Sequence, residues 1–134
     1  RDMKMKEQRY ELDISSDLFN ADLYCKRLQK IDLEGKDLTG AELSWTEMNN
    51  SNLHRANMPL AKLYWANLSE SDLSMSILYG TKCEGACFEN ANLMGAVLER
   101  TDFNKACLAN ANLTDAFLKG VIIDDEEGRL YELK

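Results

Sequence analysis

Between Leu18 and Leu118 a large apolar residue, or in one case a cysteine, recurs at every fifth position through 21 units without an insertion or deletion. The series runs Leu18, Leu23, Leu28, Leu33, Leu38, Leu43, Met48, Leu53, Met58, Leu63, Leu68, Leu73, Leu78, Cys83, Phe88, Leu93, Leu98, Phe103, Leu108, Leu113, Leu118. On an α-helix a step of five turns about 140°, so these side chains would spiral around the surface without forming a stripe. On a strand an odd step sends each one to the face opposite the last. They share an interior only if the chain turns a corner once per unit. The period therefore predicts a β-solenoid.

The other positions of the unit agree. Two places before each centre, where strand alternation again points inward, the residue is small, from Ser16 and Ala21 to Ala111 and Ala116. Large and small residues thus alternate around a narrow core, as close packing requires. Between them sits an outward residue, often Asp or Asn, as at Asp17, Asp22, Asn52, Asn57, Asn67, Asp72, Asn92, Asp102 and Asn112. Lys26, Ile31 and Lys36 break the small-residue rule three times in succession. A lysine aimed into so narrow a core is costly unless its ammonium escapes. The first coil is therefore expected to be distorted.

Units such as "ADLYC", "ANLSE", "ANLMG" and "ANLTD" resemble the A(D/N)LXX motif of pentapeptide-repeat proteins over residues 16–120. That resemblance implies an all-β fold, a right-handed quadrilateral parallel β-helix in which four units make one 20-residue coil. Twenty-one units then give about five coils, a rod roughly 25 Å long at strand spacing. Residues 1–15 lack the pattern and are expected to cap the N-terminal edge, while residues 121–134 form a C-terminal cap or tail.

Charge and composition narrow the function. The net charge of -7 divides into 0 for residues 1–15 (four acids, four bases), -4 for 16–120 (fourteen acids, ten bases) and -3 for 121–134 (five acids, two bases). No basic stripe offers a nucleic-acid footprint, and no apolar run is long enough to span a membrane. The four cysteines, Cys25, Cys83, Cys87 and Cys107, contain no CxxC pair, so a cytoplasmic location is the default. The first residue is Arg1, which leaves a removed leader open. His54 is the sole histidine and is expected outside as a solvated polar residue. With no phosphate loop, ligand cluster or paired acids in a cleft, no enzyme activity, cofactor or metal is expected.

If coils hold 20 residues, positions 20 apart stack. Trp45 then lies beside Trp65 in a column with Cys25, and Tyr24 and Tyr64 occupy the next column. These four aromatics either pack locally over small neighbours or form a protein-contact patch. Another column, Asp17, Asp37, Asn57, Ile77, Val97 and Phe117, turns apolar toward its end. Ile77, Val97 and Phe117 are expected either to lie under the tail or to form a dimer contact, since some relatives pair through their C-terminal ends. Cys87 and Cys107 stack in one outward column and are expected to be free thiols. The leading functional expectation is a non-catalytic scaffold for an unidentified protein partner, as a monomer or an end-to-end dimer. The alternative, implied by the resemblance, is a DNA mimic that binds gyrase or topoisomerase and confers quinolone resistance. The weak charge of the repeat region counts against it. The family is abundant in cyanobacteria and widespread in bacteria.

Overall fold

The computed structural model describes residues 12–15, 18–124 and 128–133. Most of the expected N-terminal cap therefore lies outside the described residues, as do Ser16 and Asp17. From Asp22 onward the outward residue of every unit pairs in parallel with the residue 20 places later, and this ladder continues unbroken to Asp102↔Ile122. One coil thus takes 20 residues and turns four corners.

The corners explain the unit. From Asn20 to Gly120 the second residue after each centre has a positive φ, between 55° and 76°. The corners are closed by a bond between residues three apart, such as the Ala21 N–H to the Leu18 carbonyl at 3.0 Å, except at Met48–Ser51, where the Ser51 N–H goes to the Ser71 hydroxyl at 3.1 Å. A positive φ at the third turn residue marks a type II turn. On the straight sides the Leu23 N–H donates to Glu42 O, the Glu42 N–H to Ala21 O and the Cys25 N–H to Ser44 O, and the same register repeats along the rod. That scheme leaves one donor over, the N–H just after the centre. The Asp or Asn just before the centre captures it through Oδ1: Asn52 for His54 (3.0 Å), Asn67 for Ser69 (3.0 Å), Asp72 for Ser74 (2.9 Å), Asp102 for Asn104 (2.9 Å). The short Asp or Asn side chain, with its acceptor three bonds from Cα, suits this Asx geometry, and Glu42 reaches the Ser44 N–H in the same way at 2.9 Å.

The centres fill the axis. From Leu18 to Phe103 each is at most 4% exposed, and burying each such side chain contributes about 1.5–3 kcal/mol. Phe88 and Phe103 meet edge to face at 5.4 Å. Polar groups at the small positions are satisfied: the hydroxyls of Ser71, Thr81 and Thr101 donate to the carbonyls of Met48, Met58 and Leu78 in the preceding coil, and those of Thr46 and Ser76 to the corner just behind them. Toward the C-terminal end Leu108, Leu113 and Leu118 are only half-buried, because no further complete coil covers them.

Two expectations need correction. The first coil is not distorted: its bridges Asp22↔Glu42, Arg27↔Glu47, Asp32↔Asn52 and Asp37↔Asn57 keep the register of the rest. Lys26, Ile31 and Lys36 are half-buried in this coil. Lys36 helps hold the Asp13 carboxyl below its usual range, after the hydroxyl and N–H of Ser15. The ladder also does not stop at residue 120. Val121, 2% exposed, takes the small position of a further unit and Ile123 packs against the core as its centre. At a terminal coil the bulkier β-branched residues fit where Ala and Leu stand elsewhere. This unit supplies strand β1 (Ile122–Asp124), which pairs antiparallel with β2 (Leu130–Glu132).

Candidate protein-contact surface

The stacking of columns brings the aromatic residues together. Trp45 and Trp65 occupy the same corner of successive coils with φ of 61° and 59°, and their rings stack at 5.9 Å with an interplanar angle of 22°. They remain 52% and 45% exposed. Corner side chains lean toward the next coil, where a glycine receives them: Asn20 lies over Gly40, Leu60 over Gly80, Trp65 over Gly85, Met75 over Gly95 and Arg100 over Gly120. The Trp65 indole thus rests on the bare Gly85 backbone and faces Trp45, so local packing over a small neighbour does occur. Half of each indole still meets solvent.

Tyr24 and Tyr64 flank this corner one residue back, Tyr24 exposed and Tyr64 half-buried. A hydrogen bond with Cys25, and then electrostatic repulsion from the same side chain, raise the Tyr24 phenol above its ordinary range. Burial raises that of Tyr64, with the carboxylates of Asp102, Glu84 and Glu42 adding to the effect. Between the two tyrosines in the same column lies Ser44, only 4% exposed, whose Oγ is the one buried side-chain polar atom without a hydrogen-bond partner among the described residues. Sequence reasoning missed Ser44: at the same place in their units Ser69 and Ser74 donate to Asn67 and Asp72, whereas Ser44 follows Glu42, whose carboxylate takes the Ser44 N–H at 2.9 Å and leaves the hydroxyl unpartnered.

The apolar column is not covered by the described part of the tail: Phe117 is 58% and Ile77 39% exposed, with Val97 half-buried. The hairpin runs instead along the neighbouring side, where Gly120 and Val121 bond with Leu133. There it borders a groove lined by Tyr79, Glu99, Arg100, Lys119 and Ile122, in which the Arg100 guanidinium stands 6.0 Å from the centre of the Tyr79 ring. This groove depends on the non-repeating tail, so the period gave no sign of it.

His54 is more embedded than a solvated residue. Its Nε2 accepts from Arg55 Nε at 3.2 Å, which leaves the proton on Nδ1 to donate to the Ser74 hydroxyl at 2.8 Å. Ser74 in turn donates to Asp72 at 2.6 Å. The polarity is the reverse of an acylating serine, whose proton must pass to the imidazole. Burial, helped by Asp102, pushes the Cys83 thiol far above the usual thiol range, so it behaves as a core residue. Cys87 and Cys107 form one parallel bridge, and all four cysteines are free. No helix among the described residues is long and apolar enough to cross a membrane.

Comparison with solved structures places this architecture. A pentapeptide-repeat protein from the Arabidopsis thaliana thylakoid lumen is 22% identical with a TM-score of 0.60, the match covering 77% of this chain and 68% of that one. HetL, a pentapeptide-repeat protein involved in heterocyst differentiation regulation in Nostoc sp. strain PCC 7120, is 25% identical over 86% of this chain and 64% of its own, with a TM-score of 0.34. Trypsin-treated QnrB1, a plasmid-mediated fluoroquinolone resistance protein, is 21% identical over 75% of this chain and 61% of its own, with a TM-score of 0.49. The chain spans about two thirds of the length of these three structures. Comparison with curated protein sequences gives no match. The likeness to the Arabidopsis structure implies the right-handed β-helix solenoid, and the family model described as "Pentapeptide repeats (8 copies)" matches residues 16–55, 37–74, 56–95 and 76–115. The chain belongs to the pentapeptide-repeat family.

Proposed function

We propose that the chain is a non-catalytic scaffold that presents the corner formed by Tyr24, Trp45, Tyr64 and Trp65 to another protein. The stacked, half-exposed tryptophan pair carries this reading. A bulky residue at positive φ costs on the order of 1–3 kcal/mol, and stacking two rings returns about 0.5–1.5 kcal/mol. Asn or Gly serves the same corner elsewhere in the rod without an exposed ring, as at Asn50, Asn90 and Gly95. The fold therefore has no need of two indoles here, whereas protein interfaces draw much of their affinity from tryptophan and tyrosine. The DNA-mimic reading has less support, because Lys62 and Lys82 interrupt the outward column of Asp22, Glu42 and Asp102.

The chain contains only two tryptophans, and both lie in the patch, so intrinsic fluorescence reports on it directly. Pull-down with the intact chain should yield a partner whose addition shifts that fluorescence. The Trp45→Ser/Trp65→Ser double variant should keep the fold by circular dichroism and lose capture, while Lys62→Ser/Lys82→Ser should retain it. Capture unchanged by removal of both indoles overturns the assignment, and inhibition of gyrase supercoiling by the intact chain would favour the mimic. The exposed Phe117 and Ile77 favour a second contact, between two copies of the chain. Light scattering checks it: a dimer that Phe117→Ser dissociates supports it, and a monomeric full chain rules it out.

A further inference from the structure

The 20-residue register brings reactive groups together at a second place, the outward column of Arg27, Glu47, Asn67, Cys87 and Cys107. Cys87 and Cys107 face each other across one parallel bridge, both thiols free, Cys107 exposed and Cys87 half-buried. Their backbones are fixed by the ladder: each donates an N–H at 2.9 Å, to Ala66 and Ala86 respectively, and the Cys107 carbonyl accepts from Phe88 at 2.7 Å. The two Cβ atoms therefore point the same way at the interstrand spacing of about 4.8 Å.

That spacing decides what the pair can do. A disulfide needs Cβ atoms about 3.5–4.5 Å apart, closer than two hydrogen-bonded parallel coils allow. An atom shared between the sulfurs needs more room: with metal–thiolate bonds of about 2.3 Å, a linear sulfur–metal–sulfur unit spans about 4.6 Å. Zinc requires four ligands, and among the described residues no group of three or more His, Cys, Asp or Glu is placed to hold a metal. Soft ions that favour thiolates, Cu(I) foremost, are satisfied by two.

We propose that Cys87 and Cys107 form a two-coordinate site for a soft monovalent ion of the Cu(I) class on the outer face of the rod. Binding forms two metal–sulfur bonds and releases the two thiol protons, with no change of oxidation state. The resulting bis-thiolate carries one net negative charge, and the exposed cation of Lys105 stands at the corner leading into Cys107. The column tolerates polar side chains at Glu47 and Asn67, so serine at either cysteine leaves the coil intact.

The test uses the reduced full chain titrated with Cu(I), and separately with Ag(I), against a competing chelator. One ion per chain should be retained, with two protons released and a sulfur-to-metal charge-transfer band in the ultraviolet. Cys87→Ser and Cys107→Ser should each lose the retained ion while keeping the wild-type circular dichroism and melting temperature, and Cys25→Ser should keep the ion. Retention by either of the first two variants overturns the proposal. So does mild oxidation that removes these two thiols from the titre, because it would show that the coils close to disulfide distance, and so does Zn(II) bound as tightly as Cu(I).

Discussion

The indole of Trp65 covers Gly85 so closely that a Cβ added to the glycine would clash with the ring atoms. By contrast, Gly35 has nothing within reach of an added Cβ. Both glycines have positive φ, 74° and 68°. Gly35→Ala should therefore lose only the conformational advantage of glycine, about 1–2 kcal/mol. Gly85→Ala should lose that and also displace Trp65 from Trp45. Chemical denaturation should rank Gly85→Ala below Gly35→Ala, and near-ultraviolet circular dichroism should change in the former alone.

Cys83 stands where nearly every other unit has leucine, methionine or phenylalanine, and restoring leucine should harm the protein. It is fully buried, and the next residue along its column is Phe103, the Cys83 N–H donating to the Asp102 carbonyl at 2.8 Å. The small side chain makes room for the large one. Cys83→Leu should overpack the axis and cost about 1–3 kcal/mol, whereas Cys83→Ala should be better tolerated. Urea melts of the two variants give the comparison.

Ser44 offers the opposite case. Its buried hydroxyl has no partner, and an unsatisfied buried polar group costs about 1–3 kcal/mol. Ser44→Ala should raise the denaturation midpoint, while Ser76→Ala, which removes the bond to the Leu73 carbonyl, should lower it. If Ser44→Ala also weakens capture of a partner, the hydroxyl serves the contact surface and not the rod.

Acid should loosen the corners through their Asx bonds. The Asp37 carboxyl is held below its usual range first by the Thr39 hydroxyl, then by the Thr39 N–H. Its contribution is fully present above the unfolded value of about 3.9 and is lost as pH falls through the lower folded value. Asp37→Asn keeps an acceptor for the same donors, as Asn112 does for the N–H and hydroxyl of Thr114, but does not titrate. Melting temperatures at pH 7 and pH 3 should show the variant losing less stability than the parent across that interval.

The period of five was open to sequence reading because close packing imposes it on every unit, and the placement of Leu33 or Ala91 inside needed nothing more. Stacking of Trp45 on Trp65 and of Cys87 beside Cys107 needed one further quantity, the 20-residue coil, which the family resemblance supplied. What escaped depended on other facts. Val121 and Ile123 continue the ladder with residues too large for the motif, so the boundary at 120 fell short. The roofing of Gly85 by Trp65 rests on the direction in which corner side chains lean, which composition does not encode. The unpartnered Ser44 hydroxyl follows from a glutamate, Glu42, in place of the Asn or Asp that serves Ser69 and Ser74, and the Tyr79–Arg100 groove depends on a hairpin outside the repeat.

The ladder's register has a consequence for how such a chain can change. Inside, only the position modulo five matters; outside, a residue's neighbours are set modulo twenty. Adding or deleting one whole unit would leave every core side chain inward yet swing all downstream surface residues through a quarter turn. Inserting five residues between Trp45 and Trp65 would part the indoles onto adjacent corners, while twenty would return them to one corner a coil further apart. The rod can therefore gain or lose length cheaply, but its surface survives only in whole coils.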